Sequence, residues 1–427
     1  MTAAVTAAAT VYDEGPPVGQ LVQVGVSHHR AALTLLERLV VRRGEAAPLV
    51  QALREAGCTQ LVLLSTCGRT EVYAGLAGDL GDALRVLAGH GGLTEQALRD
   101  VAEVRIGPPV VRHLFRVACG LESRVVGEVD ILGQVRAAFR ASRQVGLTGR
   151  ELDGLFTAAL RCAGQVHRQT ALGERGRSLA RQAVDLGLAR AGGPHVLVVG
   201  SGRMAGTAVE HLASRGHRAR VCARDDQAAG RLTGPAPVLP LADLADGIAG
   251  ADLLLCTTSA AAHVVTLADV RRAMHGRARP LTVVDLSVPR NVDPRIGELA
   301  GVHLLDVAAL EDGAHLDPAL ARAVVEATEL VEAAVQRHQL TRAALAAGPV
   351  ITALRREIEH TCRQELGQLD AELAGRLTHA LTGKLAHPPT VLARAAVASG
   401  DTGLLHLLGR LYGPRPQVSE QARFSAR

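Results

Sequence analysis

Lysine is almost missing from this sequence: Lys384 is the only one in 427 residues. That scarcity excludes chemistry, because a P-loop needs a Gly-Lys pair and a Schiff-base enzyme needs a pocket lysine, and Lys384 stands in neither setting. Aromatic residues are scarce as well, with no Trp, three Tyr and four Phe, which removes the stacking platforms of single-strand binders. The seven cysteines lie singly between Cys58 and Cys362, without CxxC pairing or the density of a secreted disulfide scaffold, so free thiols are expected and one of them is a candidate for reactivity. The histidines lack ligand spacing, and no metal is expected. No run approaches the ~20 apolar residues that cross a bilayer, and the first residues have neither a basic segment nor a long apolar one. These absences predict a cytoplasmic protein without membrane contact and with a disordered tail over 1–19.

What is present describes a folded chain. Hydrophobic residues make up 48% and charged ones 21%, enough to bury sizeable cores, and the length calls for two or three domains. The net charge of +5, almost all arginine, suits a polyanionic partner and equally a slight imbalance of solvated charge. Short apolar runs at 21–26, 61–64 and 72–74 alternate with a helical pattern at 33–39, predicting a small α+β domain. From 110 to 189 the pattern reads as continuously helical, with Leu114, Val117, Leu121 and Val125 at three- and four-residue steps. A different pattern begins at Pro194: an apolar strand over 195–199, a tight turn at 200–202, a helix over 204–213 and a second strand over 218–223. With further strands at 253–258, 282–286 and 302–305, it predicts a doubly wound parallel sheet. Asp317-Pro318 then opens a long helix, Asp capping and Pro leading. Its stripe of Leu320, Val324, Ala327, Val331 and Ala334 needs a partner surface, for which a second chain is preferred and a fold-back of later helices is the alternative.

Two turns carry chemistry. Gly200-Ser201-Gly202-Arg203-Met204-Ala205 fits G-x-G-x-x-G/A between a strand and a helix, where glycines let the backbone approach a pyrophosphate at the positive helix end. Arg224 closes the second strand, where a cation receives a 2′-phosphate, which favours NADPH over NADH. Asp225 beside it is the opposing signal, since a carboxylate there holds a free ribose hydroxyl. The other turn, Ser65-Thr66-Cys67-Gly68-Arg69-Thr70-Glu71, places Cys67 at a strand exit, with Arg69 two residues on to favour the thiolate. Spacing alone still favours an inert core cysteine, the commoner role of the residue.

The same residues resemble the glutamyl-tRNA reductase family. The run 64–71 is similar to its S-T-C-N-R-T-E loop around a nucleophilic cysteine, and Gly25-Val26-Ser27-His28-His29-Arg30-Ala31-Ala32 to its N-terminal G-[IV]-N-H-[KR]-[TS]-A-P segment. The segment 113–123 followed by 126–135 resembles its H-L-[FM]-R-V-A-[SA]-G-L-[DE]-S and G-E-x-Q-I-L-G-Q-V blocks. The runs 285–294 and 383–390 match two further blocks, the last being K-L-x-H-x-P-T, all in family order over 20–412.

The resemblance implies a multidomain α/β chain: an N-terminal α+β catalytic domain over 20–170, a Rossmann-like doubly wound NADPH domain over 171–312, and a C-terminal all-helical dimerisation domain with a long linking helix over 313–427. It implies NADPH-dependent reduction of glutamyl-tRNA(Glu) to glutamate 1-semialdehyde through a Cys67 thioester, feeding 5-aminolevulinate and tetrapyrroles. His113 stands where the family has an activity-sensitive histidine, to polarise the carbonyl, shuttle a proton or simply pack. Thr66, Gly68, Arg69, Ser123, Glu128, Val129, Asp130 and Gln134 are the implied substrate contacts, with Arg69 suited to a bidentate grip on the glutamate carboxylate. Gly200, Ser201, Gly202, Arg203, Met204, Ala205 and Arg224 are the implied cofactor contacts. A homodimer is implied, as is transfer of product to the downstream aminomutase. Departures from the family pattern stand at Gly68 for Asn, Asp130 for Gln, Arg203 for an acidic or small residue, Ala205 for the last glycine, and 176–181, which lacks the Ser-Val-rich pattern. They motivate the alternative of a weakened copy that binds tRNA or the aminomutase, or serves a specialised pathway.

Overall fold

Alternation of side chains along strands builds the first layer. In the computed structural model, β1 (Gln20–Ser27), β2 (Cys58–Ser65), β3 (Arg69–Leu76) and β4 (Glu103–Ile106) form an antiparallel sheet in the order β2-β3-β1-β4. The described residues are 20–411 apart from 43, 175–177, 225–237, 259, 261, 313–317, 367–369, 400, 402, 405–406 and 409–410. The expected tail over 1–19, the ribose signal at Asp225, the cap at Asp317 and part of the 176–181 departure lie outside them. Central strand β3 is buried along its whole length, so its two faces carry different residues. Val72, Ala74 and Leu76 join one apolar cluster with α1 (Leu33–Leu39), α2 (Ala46–Glu55) and α3 (Leu80–His90). Arg69, Glu71 and Tyr73 take the other face, beneath α4 (Pro108–Ala118), α5 (Asp130–Gln144) and α6 (Arg150–Gln169). There the Tyr73 ring meets Phe156 of α6 edge-on at 5.5 Å.

The continuous helix expected over 110–189 is broken after Ala118. Gly120 adopts φ +75°, a conformation that ends a helix at little cost only for glycine, and Leu121 N–H closes back on the Arg116 carbonyl at 3.0 Å. Residues 119–129 then form turns, tied by Gly127 N–H to the Gly120 carbonyl at 2.9 Å. Leu121 and Val125 are buried as expected, but from a turn and not a helix face.

After α7 (Leu179–Arg190) comes a parallel six-stranded sheet. Its strands are β5 (Val196–Val199), β6 (Ala219–Ala223), β7 (Val238–Pro240), β8 (Leu253–Cys256), β9 (Leu281–Asp285) and β10 (Val302–Asp306), in the order β10-β9-β8-β5-β6-β7. Val196 and Val198 feed the apolar cluster on one face, and Leu197 and Val199 the other. The chain runs outward through β6 and β7, then returns to β8 on the opposite side of β5. The reversal leaves a crevice at the carboxyl ends of β5 and β8, beside Gly200. From Gly202 the chain enters α8 (Arg203–Ser214).

Two compact units divide the chain, one ending at Glu332 and one beginning at Ala333. In the first lies the start of α9 (Pro318–Glu365), whose Leu320, Ala327 and Val331 are buried, while Arg112 Nε donates to the Glu332 carboxylate at 2.9 Å. This part of the long stripe is therefore covered by the chain itself, where a second chain was the preferred partner surface and intrachain packing the alternative. In the second unit, α10 (Ala371–Ser399) exposes Leu373, Leu377, Leu381 and Leu385 at four-residue steps. Among the described residues, no helix is long and apolar enough to cross a membrane.

Candidate active site

Cys67 and Gly68 form the tip of the β2–β3 hairpin. Thr66 N–H donates to the Arg69 carbonyl at 2.8 Å, and Gly68 N–H to the Thr66 hydroxyl at 3.2 Å. The tip is held from outside as well, because His28 N–H donates to the Gly68 carbonyl at 2.9 Å. A Cβ at Gly68 would lie 3.3 Å from His28 Nδ1, so the imidazole occupies space that a longer side chain at 68 would claim.

Beneath the tip lies a buried polar network. Glu71 Oε1 accepts from Arg69 Nη1 at 2.9 Å and pairs with His113 Nε2 at 3.0 Å, while Oε2 accepts from the Tyr73 hydroxyl at 2.7 Å. Burial pushes the Glu71 carboxyl up, but His113 and Arg69 outweigh it and hold Glu71 well below the usual carboxylate range. Arg69 also donates through Nη2 to the Glu122 carbonyl and is 2% exposed. The bidentate grip expected of Arg69 is thus turned inward: two of its guanidinium nitrogens hold the protein's own groups, and Arg69 braces the turn.

The pocket opposes ionisation of the thiol. Burial first, and Glu128 second, push the half-buried Cys67 up to about 12, against the opposite pull of Arg124 and Arg69. Activation of the thiolate by Arg69, expected from spacing, is overridden because loss of water outweighs one cation. Glu128 itself is pushed up to about 7 by burial and then by Asp130, while Arg69, Arg203 and the Ser123 hydroxyl favour its charge. His28 is driven down to about 3 by burial, His29 and Arg124, so its ring is neutral near pH 7.

The second turn fits a dinucleotide. Gly200 has φ +126°, and a Cβ there would lie 2.7 Å from Thr257 Oγ1, whereas a Cβ at Gly202 would meet nothing within 4 Å. The helix α8 opens without a side-chain cap, leaving its first amides to face that open space, which is the arrangement that receives a phosphate. Ala205 is fully buried in the cluster under β5, so the alanine in place of the last glycine is accommodated. Arg224 is exposed at the end of β6. Cys67, Met204 and Val288 all pack against the same apolar cluster of the parallel sheet, so the thiol turn and the nucleotide turn share one core.

Comparison with known proteins follows the same division. The family model for the glutamyl-tRNAGlu reductase N-terminal domain matches residues 24–170, that for shikimate/quinate 5-dehydrogenase matches 178–312, and that for the glutamyl-tRNAGlu reductase dimerisation domain matches 326–414. A protein named glutamyl-tRNA reductase 2 from Nocardioides sp. is 37% identical over 409 residues, 91% of this chain and 91% of its own. The chain belongs to the glutamyl-tRNA reductase family. A glutamyl-tRNA reductase from Kineococcus radiotolerans is 35% identical over 420 residues, 92% of this chain and 93% of its own. Among solved structures, glutamyl-tRNA reductase from Methanopyrus kandleri aligns with 91% of this chain and 99% of its own at 26% identity and a TM-score of 0.45.

Two of the departures from the family pattern meet. Arg203 Nη1, at the first turn of α8, donates to the Asp130 carboxylate at the first turn of α5. Asp130 therefore does not stand as an uncompensated charge. Thr66, Val129 and Gln134 are half-buried, and Ser123 and Glu128 are buried, around the same turns. Glu71, Tyr73, Glu122, Arg124 and His28 belong to the site and were not singled out from sequence. The signal available for two of them was period two along β3, which puts Arg69, Glu71 and Tyr73 on one face.

Proposed function

We propose that this chain reduces the glutamyl group of glutamyl-tRNA(Glu) to glutamate 1-semialdehyde through a thioester on Cys67, with NADPH as its cofactor. The observation that carries the reading is the packing of Cys67 against the apolar cluster that also receives Met204 of the nucleotide turn. Cys67 Sγ attacks the ester carbonyl, the C–S bond forms, and the C–O bond to the tRNA ribose breaks, the oxygen leaving as a hydroxyl. The thiol proton goes to Glu128, which is half-ionised near pH 7 and electrostatically coupled to Cys67, and returns from there to the departing oxygen. NADPH would supply, when bound, the hydride that reduces the carbonyl carbon and leave as NADP+; breaking of the C–S bond then releases the Cys67 thiolate, which takes a proton from solvent to restore the thiol.

The contacts support the remaining roles. His113 and Glu71 hold Arg69 and so brace the turn, Ser123 orients Glu128, and Thr66, Val129, Asp130 and Gln134 line the acceptor for the glutamyl group. Gly200, Ser201, Gly202, Arg203, Met204 and Ala205 hold the pyrophosphate, and Arg224 holds the 2′-phosphate. The protein works as a homodimer, in the cytoplasm, and passes its reactive aldehyde to the aminomutase that makes 5-aminolevulinate. A weakened copy is not favoured, since the cysteine, its titrating carboxylate and the nucleotide turn are all present.

The test is semialdehyde formation from glutamyl-tRNA(Glu) and NADPH. Wild type should form it, and Cys67→Ser should lose at least a thousandfold; a fully active Cys67→Ser variant would remove the thioester from the reading. Replacing NADPH by NADH checks Arg224 in the same assay, and an Arg224→Ala variant should narrow the difference between the two cofactors.

A further inference from the structure

An ion pair outside the site connects its two turns. Arg290 follows β9, and its Nε and Nη2 donate to the two carboxylate oxygens of Glu37 on α1 at 2.8 and 2.9 Å, while the Arg290 backbone N–H donates to Glu37 Oε1 at 2.7 Å. The pair is mostly shielded, at 23% and 15% exposure, and its two-pronged geometry fixes direction as well as distance. Both ends are anchored. On the nucleotide side, the Asp285 carboxylate accepts from the backbone N–H groups of Ser287, Asn291 and Val292, each at 2.9 Å, which fixes the loop that carries Arg290.

On the other side, α1 buries Leu33, Leu36 and Leu39, and its end is tied to the hairpin of Cys67. The Leu39 carbonyl accepts from the Thr70 hydroxyl at 3.0 Å, Val41 N–H donates to the Ser65 hydroxyl at 3.0 Å, and the two hydroxyls lie 3.1 Å apart. Ser65 and Thr70 are paired across the hairpin that Cys67 tips. A chain of hydrogen bonds therefore runs from the loop after β9, through Glu37 and α1, to the base of the cysteine turn.

We infer that Glu37 and Arg290 are positioning residues for the reductive half of the reaction, fixing the acylated Cys67 turn against the nucleotide domain without touching substrate or cofactor. The inference rests on the function proposed above. Acylation of Cys67 draws on groups of the hairpin and its surroundings. Hydride transfer also needs the parallel sheet in register with the sulfur, and a misplacement of about 1 Å costs on the order of 100-fold in such a step. The pair thus governs the second step and leaves the first alone.

The test uses full-length wild type, Glu37→Gln, which keeps an acceptor for the Arg290 N–H, and Arg290→Lys, which keeps the charge and loses the two-pronged contact. Two quantities are read: incorporation of labelled glutamate into Cys67 from glutamyl-tRNA(Glu) without NADPH, and semialdehyde formed with NADPH. Both variants should acylate within about twofold of wild type and lose at least tenfold in semialdehyde, with the difference recovered as free glutamate from thioester hydrolysis. A parallel fall in both quantities, or an unchanged yield of semialdehyde, overturns the inference while leaving the reductase reading intact. A wild type that acylates and never reduces overturns both.

Discussion

At Cys67 the proposed nucleophile stands where burial suppresses its ordinary ionisation, and the carboxylate that adds to this effect offers a way for that to serve the proposed reaction. Glu128 titrates higher in the folded chain than in the unfolded one, moving from 4.5 to about 7. Its contribution to stability is therefore full below pH ~4.5 and lost as the pH rises through about 7. The shift corresponds to on the order of 3 kcal/mol against the fold once the carboxylate is ionised. Glu128→Gln should accordingly raise Tm relative to wild type at pH 8 and not at pH 4.5, which thermal melts at the two pH values will read. The same variant lowers the pKa of Cys67, so iodoacetamide should alkylate the thiol several-fold faster at pH 9 while acylation by glutamyl-tRNA falls. A slower alkylation would exclude Glu128 as the carboxylate that holds the thiol protonated. Burial is what the sequence concealed here: Arg69 two residues from Cys67 suggested an activating cation, and period two puts Glu71 on its face, but no linear pattern reveals that the face is buried or that the Glu122 carbonyl meets the guanidinium.

Among the elements, those with strong period or apolar runs were legible. The strands β5, β8 and β9 are four- and five-residue runs buried on both faces, and their apolar sequences declare it. By contrast β4 was missed because Glu103 and Arg105 alternate with Val104 and Ile106 on a half-exposed edge, with Arg105 paired to Glu103 at 3.1 Å. The expected helix through Leu121 and Val125 failed for a different reason. Three- and four-residue spacing is also met by a turn that reaches the core, and the glycine that decides between them acts through φ. A Cβ at Gly120 would lie 2.8 Å from the Glu128 carbonyl, so Gly120→Ala should destabilise by ~1–3 kcal/mol and lower acylation of Cys67 through Glu128. Gly200→Ala should leave acylation intact and weaken NADPH binding at least tenfold, because the new methyl group meets Thr257; fluorescence titration with NADPH would read it. The meeting of Asp130 with Arg203 was beyond the sequence altogether. Each residue looked like a separate departure, and only the approach of α5 and α8 makes them one contact.

For the whole molecule, the order of α+β, parallel-sheet and helical segments was legible because the grammar of the sequence changes at Pro194 and again at Pro318. How much of the long helix is covered by its own chain was not, since an apolar stripe records that something covers it and not what. The exposed row of Leu373, Leu377, Leu381 and Leu385 lies within the residues that match the dimerisation-domain model, and association is expected to cover it. Leu381→Glu should therefore convert the dimer to monomer in sedimentation equilibrium while leaving the melting of the first unit unchanged; a dimer that persists would place the contact elsewhere.

Lys384 lies exposed between Leu381 and Leu385 on that same helix. Apart from the chain's own amino terminus, it is the single amine that an acylating reagent can find. The speed at which this one side chain is acylated, followed over a dilution series by intact mass, becomes a gauge of how much protein is paired, with no engineered tag.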